Sequence, residues 1–270
     1  MKITIIGCGN MGLIYARAFL KYNIVSKSEL LLVEKNEKRK EELKKLDIGK
    51  VVIPADGIIK QSDVIILAVK PQDFSELTAD LKSVLNKETI VVSIMAGINI
   101  SFLQEKLNHD RIIRAMPNSP VEIGMGITAY CLSKGVNTEQ ARKAENLLST
   151  TGRTLYLEDE KLMDAVTAIS GSGPAYFFYF VQQLVTVGKK MGFDESTASL
   201  LVKQTMLGSF HLLNSAGKPL DELIKAVASK GGTTEAALTT FEKYEVGKYL
   251  QEGLLNAKKR GKELAEIASK

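Results

Sequence analysis

Two glycine-rich segments of this chain have residue types and a spacing that suit the binding of anions. The first, at 7–12, reads Gly-Cys-Gly-Asn-Met-Gly, and the second, at 229–235, reads Ser-Lys-Gly-Gly-Thr-Thr-Glu. A helical pattern follows each segment, and the N-terminus of a helix offers unpaired N–H groups and a partial positive charge. The first segment suits the pyrophosphate of a dinucleotide, and the second suits a small carboxylate.

The first segment consists of Gly7, Cys8, Gly9, Asn10, Met11 and Gly12. A short buried strand is predicted before it at 2–6, and an apolar helical pattern follows it. A second predicted strand, at 30–33, ends at Glu34, an acidic residue about 20 positions beyond the glycines, where such sites bind the ribose. These flanks predict a dinucleotide site rather than a plain strand–turn–helix.

The second segment consists of Ser229, Lys230, Gly231, Gly232, Thr233, Thr234 and Glu235. Two hydroxyl groups follow two glycines at the start of a predicted helix, which adds O–H donors to the exposed N–H groups. This pattern predicts a site for a small carboxylate. The alternative is that the hydroxyl groups only cap the helix.

Further candidate residues follow three predicted strands of the first half. They are Ala68, Val69, Lys70 and Pro71 at the end of the strand at 63–69, Met95, Ala96 and Gly97 after the strand at 89–93, and Asn118 after the strand at 111–115. The ammonium group of Lys70 can meet a phosphate, and a solvent-facing loop lysine is the alternative. Small residues let a flat ring approach the backbone, and the amide of Asn118 offers a donor and an acceptor.

The order of the predicted elements indicates the fold class. Strand-like and helix-like segments alternate in the first half, which predicts right-handed crossovers and a doubly wound parallel sheet of the Rossmann type. Ligands of such sheets bind beyond the carboxyl ends of the strands. Only helical patterns follow, so we predict a dinucleotide-binding domain at 1–160 and an all-helical domain at 161–270. A tight turn into a helix is predicted at 170–176.

One predicted helix of the second half is too apolar for a surface helix. The stretch at 176–187 is apolar nearly all round except at Gln182 and Gln183. Such a helix needs burial on several sides. We therefore expect the helical domain to form the interface of a dimer.

Composition limits the partners and the compartment. The net charge of +5 is spread widely, and the chain of 270 residues has no Trp, which argues against a nucleic-acid partner. The apolar runs are too short to span a bilayer, so no membrane partner is expected. The two cysteines, Cys8 and Cys131, fit a reducing cytoplasm rather than a disulfide framework.

The residue types missing from these segments also restrict the chemistry. The two histidines, His109 and His211, lie outside them, so a Ser-His-Asp triad has no candidate. No closely spaced His, Cys and carboxylate residues indicate a metal site. A dinucleotide site with hydroxyl groups and without a strong base or a metal suits hydride transfer, in which the cofactor supplies the reactive group.

With these motifs the chain resembles the pyrroline-5-carboxylate reductase family over its full length. The resemblance rests on GCGNMG at 7–12, AVKP at 68–71, SIMAGI at 93–98, RAMPN at 114–118, SGSGPAY at 170–176 and GGTT at 231–234. The last two motifs are the most specific to the family. The resemblance implies that NADPH, with NADH as the alternative, reduces the cyclic imine 1-pyrroline-5-carboxylate to L-proline. It also implies a homodimer, with dimers often assembling further.

The resemblance carries site residues over to this chain. The glycine segment, the AVKP segment and residues 95–97 are expected to bind the cofactor, together with Glu34. The residues expected to bind the substrate are Asn118, Glu160, Ser229, Gly231, Gly232, Thr233 and Thr234. Glu160 is included because an acidic residue ten positions before the SGSGPAY motif lines the family's pocket. Thr234 is the predicted catalytic residue, whose hydroxyl group would hydrogen-bond the imine nitrogen.

Some residues depart from the family pattern and leave alternatives open. Lys230 stands where the family usually has proline. Glu34 favours NADH because it repels a 2′-phosphate, whereas Lys35, Lys38 and Arg39 favour NADPH. One alternative is a reductase of the β-hydroxyacid dehydrogenase type, which needs a catalytic lysine such as Lys161 or Lys189. The other alternative is a non-catalytic, competence-type paralogue retained for interactions.

Overall fold

The computed structural model describes residues 1–268, and it divides the chain into two compact units. Unit 1 comprises Met1–Ser172 together with the chain from Ala257 onward, and unit 2 comprises Gly173–Asn256. Side chains are described as far as residue 263.

Unit 1 is built on an eight-stranded sheet in the order β3-β2-β1-β4-β5-β6-β7-β8. The strands are β1 (Ile3–Ile6), β2 (Leu30–Val33), β3 (Lys50–Val52), β4 (Val64–Leu67), β5 (Ile90–Ser93), β6 (Ile112–Met116), β7 (Gly126–Leu132) and β8 (Gly152–Tyr156). Strands β1 to β6 are parallel and follow the order 3-2-1-4-5-6 of doubly wound dinucleotide-binding sheets. The predicted fold class is confirmed.

The last two strands of the sheet are an addition that the sequence pattern did not predict. Strand β7 pairs antiparallel with β6, and β8 pairs parallel with β7. A short 3₁₀ turn, Ser119–Ile123, connects β6 to β7 in place of a crossover helix. Without a crossover the chain returns directly alongside β6, which makes this pair antiparallel.

Helices follow the strands in unit 1 and form all of the regular structure in unit 2. Unit 1 contains α1 (Asn10–Lys21), α2 (Glu37–Leu46), α3 (Phe74–Val84), α4 (Ile100–Leu107), α5 (Thr138–Ser149) and α6 (Met163–Val166). Helices α7 (Gly173–Lys190), α8 (Glu195–Ala216), α9 (Leu220–Val227) and α10 (Thr233–Lys243) lie in unit 2, and α11 (Val246–Ala268) begins there. A π-helical turn, Thr167–Gly171, separates α6 from α7.

The core of unit 1 lies on both faces of the sheet. Every residue of β1, β2, β4 and β5 is buried. Alternate residues of each strand enter two apolar clusters: Ile3 and Ile5 belong to one, and Ile6 belongs to the other. Burial on both faces explains why these strands read as continuous apolar runs. Because the strands are parallel, the loops that follow them project from the same edge of the sheet.

Unit 2 exposes an unusual amount of apolar surface. Helix α7 buries Gly173 alone, and α8 buries Ala198 alone. Phe177, Phe178 and Leu184 of α7 are more than half exposed. Exposed apolar surface of this kind is typical of an interaction surface.

Candidate functional site

The loop after β1 is shaped by two glycines that pack against backbone. A Cβ atom at Gly7, whose φ is +91°, would lie 2.7 Å from the carbonyl oxygen of Ala68. A Cβ atom at Gly12 would lie 2.1 Å from the carbonyl oxygen of Gly7. Both distances are too short for any side chain, so the loop, β4 and the first turn of α1 are held in close contact.

The N-terminus of α1 opens onto free space. Gly9 is the residue before the helix and provides no side-chain cap for its N–H groups. A Cβ atom at Gly9 would meet no atom within 4 Å. The helix therefore offers its N–H groups and the positive end of its dipole to open space, as helices that bind phosphate do. Asn10 and Met11 form the first turn of this helix.

The carboxylate of Glu34 is tied to the same loop. One of its oxygens accepts the N–H of Cys8 at 3.1 Å, and the other accepts the N–H groups of Lys35 at 2.8 Å and Asn36 at 3.0 Å. Arg39 donates from Nε to the carbonyl oxygen of Cys8 at 3.2 Å. Glu34 is thus held at the carboxyl end of β2, where a ribose would lie.

Burial makes the thiol of this loop inert. Burial, reinforced by the negative charge of Glu34, raises the pKa of Cys8 to about 12. The thiolate is the reactive form, so Cys8 lines the loop as a small apolar group.

A cavity of about 200 Å³ brings together residues from three strand ends. It is lined by Gly7 and Gly9 after β1, by Glu34 after β2, and by Ala68, Val69 and Lys70 after β4. Pro71 begins the 3₁₀ turn that follows. These residues come from separate parts of the sequence, and the sheet order makes them neighbours. The cavity lies beside the open N-terminus of α1, beyond the carboxyl ends of the strands, which is where sheets of this type bind dinucleotides.

The loop after β5 lies at the same edge of the sheet. Met95 is buried, Gly97 has a φ of +77°, and Ala96 lies between them. The N–H of Met95 donates to the Oγ of Ser93 at 3.3 Å, which anchors the start of the loop to β5.

The RAMPN motif at 114–118 contacts the first residues of the SGSGPAY motif, Ser170 and Gly171, in unit 1. Asn118 accepts the N–H of Ile127 at 3.0 Å and donates to the Oγ of Ser170 at 3.4 Å. The side chain of Met116 lies against Gly171, where a Cβ atom would approach its Cε to 2.6 Å. The RAMPN turn therefore packs on the SGSGPAY segment. The segment leads into a helix as predicted, with Pro174 in the first turn of α7. The turn before it is wide rather than tight, because the N–H of Ser172 bonds the carbonyl of Thr167 at 2.8 Å in a π turn.

Arg114 is a functional candidate whose partners the sequence did not reveal. Its guanidinium donates to Glu160 at 3.1 Å and to Asp164 at 3.1 Å, and its side chain is 7% exposed. An arginine inside an otherwise apolar strand was the signal, because buried charges need partners.

The second glycine segment forms one compact turn in unit 2. Gly231 has a φ of +75°, and its N–H donates to Oε2 of Glu235 at 2.6 Å. Gly232 bonds back to the carbonyl of Ser229 at 3.0 Å and precedes α10 without a side-chain cap. The hydroxyl groups of Thr233 and Thr234 therefore do not cap the helix from the position before it. The anion site at this turn stays a prediction, and the N–H groups of Gly231 and Gly232 are bonded within the loop.

Thr234 also borders an apolar cavity of about 420 Å³ within unit 2. Leu213, Leu223 and Leu238 from α8, α9 and α10 line it with Thr234. A hydroxyl group beside an apolar wall makes a stronger hydrogen bond than one in water.

The described residues contain no metal cluster and no membrane-spanning helix. No group of three or more His, Cys, Asp or Glu residues is placed there to hold a metal ion. No helix in the same part of the chain is long and apolar enough to cross a bilayer.

The sheet order and the glycine loop define the class of protein: a Rossmann-type dinucleotide-binding protein with an added helical unit. Residues 2–97 match the family model described as NADP oxidoreductase, coenzyme F420-dependent. Residues 160–264 match the model described as pyrroline-5-carboxylate reductase dimerisation.

Individual relatives extend this similarity over the whole chain. The pyrroline-5-carboxylate reductase of Arabidopsis thaliana is 34% identical and covers 98% of this chain and 96% of its own length. Pyrroline-5-carboxylate reductase 1 of Bacillus subtilis is 33% identical over 100% of this chain and 91% of its own. The chain belongs to the pyrroline-5-carboxylate reductase family, which confirms the resemblance drawn from the six motifs.

Solved structures agree with this assignment. The Plasmodium falciparum pyrroline carboxylate reductase with NADP bound has a TM-score of 0.88 and 28% identity, and 98% of each chain is covered. The 1-pyrroline-5-carboxylate reductase of Streptococcus pyogenes has a TM-score of 0.87 and 28% identity, with 97% of this chain and 98% of that chain covered. Prephenate dehydrogenase of Aquifex aeolicus, at 16% identity and a TM-score of 0.56, shares the fold alone.

Proposed function

We propose that this chain reduces the C=N bond of 1-pyrroline-5-carboxylate to give L-proline, the last step of proline biosynthesis. The chain is an NAD(P)H-dependent oxidoreductase. The observation that carries this function is the combination of two uncapped, glycine-led helix starts in a chain of this family. The first, at α1, suits a dinucleotide, and the second, at α10, suits a carboxylate.

The loop after β1 and its neighbours hold the dinucleotide in this proposal. The N–H groups of Gly9, Asn10, Met11 and Gly12 bind the pyrophosphate, and Glu34 and Lys70 approach the adenosine half and its phosphates. Met95, Ala96 and Gly97 line the place of the nicotinamide. When bound, the reduced dinucleotide supplies the hydride that the reaction consumes. NADPH is supported by the match to an NADP oxidoreductase model and by the NADP bound to the Plasmodium relative.

The turn at 229–234 binds the substrate in this proposal. Ser229, Thr233 and the uncapped N–H groups at the start of α10 hold the carboxylate, beside Gly231 and Gly232, whose own N–H groups bond Glu235 and the carbonyl of Ser229. The hydroxyl oxygen of Thr234 accepts a hydrogen bond from the N–H of the protonated imine. That bond stabilises positive character at nitrogen, which makes the adjacent carbon a better hydride acceptor. Because the substrate can arrive protonated, the site needs no strong acid.

Orientation supplies most of the acceleration. Fixing a reactant and a cofactor in reacting geometry lowers a barrier by up to about 7–11 kcal/mol. A single positioned hydrogen bond contributes about 2–3 kcal/mol. Asn118 and Glu160 remain proposed substrate residues, and their contacts in unit 1 hold them in fixed positions.

We also propose that the enzyme is a homodimer in the cytoplasm. The exposed apolar side chains of α7 and the match of residues 160–264 to a dimerisation model support the dimer. Assembly of dimers into a higher oligomer, and the expectation of no nucleic-acid or membrane partner, stay predictions.

Oxidation of NADPH by the purified chain on addition of 1-pyrroline-5-carboxylate tests the function. We expect turnover with L-proline as the product. Dinucleotide binding without turnover, and no rescue of a proline auxotroph, would instead identify a non-catalytic paralogue. Turnover of a β-hydroxyacid that depends on Lys161 or Lys189 would identify the other alternative.

A further inference from the structure

One carboxylate oxygen in unit 1 joins three separate elements. Oε1 of Glu160 accepts the N–H of Ile100 at 2.8 Å and a guanidinium N–H of Arg114 at 3.1 Å. Ile100 is the first residue of α4, and Arg114 lies in β6. Glu160 therefore reaches, from 60 residues along the chain, an N–H at the start of a helix.

The Ile100 bond fixes the far end of the loop between β5 and α4. This loop contains Met95, Ala96 and Gly97, and its near end is held by the bond from Met95 to Ser93. Asn99 caps α4 locally by accepting the N–H of Phe102 at 2.8 Å. A carboxylate beside a helix N-terminus adds a favourable charge interaction. The loop is thus anchored at both ends, once by its own strand and once by Glu160.

Arg114 holds this anchor in place. Its buried guanidinium pairs with Glu160 and with Asp164, which satisfies its charge and fixes the position of the Glu160 carboxylate. Side-chain exposure of Glu160 is 28%, so this anchor lies near the surface of unit 1.

We propose that Glu160 is a positioning residue for the β5–α4 loop, and that through this loop it contributes to dinucleotide binding in the absence of substrate. The inference rests on the proposed function, because it concerns the same cofactor site. It assigns to Glu160 an effect that contact with the substrate alone would not produce.

Equilibrium binding of NADPH without substrate, followed by fluorescence, tests this role. Glu160→Ala is expected to raise the Kd for NADPH about tenfold and to speed amide hydrogen exchange in a peptide that contains Ile100. The Kd for NADPH of Glu160→Gln should lie between those of the wild type and Glu160→Ala. The amide oxygen of the glutamine still accepts the Ile100 N–H, but the ion pair with Arg114 is lost. Glu158→Ala is the matched control, because Glu158 is an exposed carboxylate two positions earlier, and it should keep the wild-type Kd.

A second variant removes the donor and leaves Glu160 in place. Proline is tolerated at the first position of a helix, and Asn99 has the extended backbone, φ −86° and ψ 163°, that a following proline requires. Because Ile100 is buried, Ile100→Pro is compared with Ile100→Ala, which loses the side chain and keeps the N–H. The proline variant should weaken NADPH binding more than the alanine variant does, and thermal unfolding curves check that both are folded.

Two results separate failure of the inference from failure of the function. The positioning role would be overturned if Glu160→Ala and Ile100→Pro had the wild-type Kd for NADPH while Glu160→Ala had a raised KM for 1-pyrroline-5-carboxylate. Glu160 would then act by contact with the substrate. Absence of NADPH binding in the wild type would overturn the proposed function itself.

Discussion

The two glycine-rich loops, at 7–12 and 229–235, each lead into a helix with an uncapped N-terminus, but they are held in shape by different contacts. Each places a helix N-terminus without a side-chain cap, after Gly9 in unit 1 and after Gly232 in unit 2. In each, a glutamate accepts a loop N–H: Glu34 from Cys8 at 3.1 Å, and Glu235 from Gly231 at 2.6 Å. The surroundings differ, because backbone packs tightly on the first loop, whereas Gly231 has no neighbour within 4 Å of its Cβ position.

The difference shows where each loop gets its shape. The first loop packs directly on the backbone at the end of β4 and at the start of α1, since a side chain at Gly7 or Gly12 would clash there. The second is fixed by its own hydrogen bonds and by the positive φ of Gly231. Substitutions in the first loop should therefore divide into those that affect folding and those that affect binding, while substitutions in the second should act on the reaction.

The largest expected effect is that of Gly12→Val. Its side chain would begin 2.1 Å from the carbonyl oxygen of Gly7, so the loop and α1 must separate. We expect a loss of about 3 kcal/mol in the free energy of unfolding, measured with urea, and no NADPH binding. Wild-type stability in this variant would show that the first loop is as adaptable as the second.

Thr234→Val should have the second-largest effect, which is on the rate of the reaction. The change keeps the shape and removes the hydroxyl group that bonds the imine nitrogen, so kcat/KM should fall about a hundredfold, equivalent to about 2.7 kcal/mol. The Kd for NADPH and the melting temperature should not change. Thr234→Ser, which keeps the hydroxyl group, is the control and should recover most of the activity; equal activity of the valine variant would remove Thr234 from the mechanism.

Gly9→Ala separates binding from folding within the first loop. Its Cβ would meet no protein atom within 4 Å, so the melting temperature should stay at the wild-type value. The same methyl group lies where the pyrophosphate approaches, and we expect the Kd for NADPH to rise about tenfold, or about 1.4 kcal/mol. An unchanged Kd would place the pyrophosphate elsewhere.

The smallest effect concerns pH. Because the pKa of Cys8 is raised from 9.0 to about 12 in the folded chain, the unfolded chain loses this proton first as pH rises. Ionisation of Cys8 therefore favours the unfolded chain above pH 9. The free energy of unfolding keeps its full value below pH 9 and decreases as pH rises toward 12. Between pH 9 and 10 the difference in unfolding free energy between the wild type and Cys8→Ala should shift by about 1 kcal/mol against the wild type. A pH-independent difference would mean that the thiol is exposed.

The sequence predicted what depends on local pattern and failed where distant residues meet. Strands β1, β2, β4 and β5 were predictable because burial on both faces leaves unbroken apolar runs. The reversal at β7 was not, since a short apolar run carries no information about strand direction. The same limit applies to side-chain pairs: Arg114 and Glu160 are 46 residues apart, and Asn118 and Ser170 are 52 apart.

The candidate site shows the same division. Glycines and hydroxyl groups next to a predicted helix identified both loops from the sequence. The bonds from Ile100 to Glu160 and from Asn118 to Ser170 could not be predicted from the sequence. Each of them depends on the order of the strands in the sheet.

The π turn at Thr167–Gly171 makes the chain sensitive to changes of length at that place. Its bond from Ser172 to Thr167 spans five residues, one more than an α-helical bond. Deleting one residue before Ser170 would convert the turn to ordinary helix and rotate Ser170 and Gly171 by about 100° about its axis, away from Asn118 and Met116, since each helical residue accounts for that angle. Insertions and deletions should therefore be tolerated in the exposed loops between helices and rejected in this one turn.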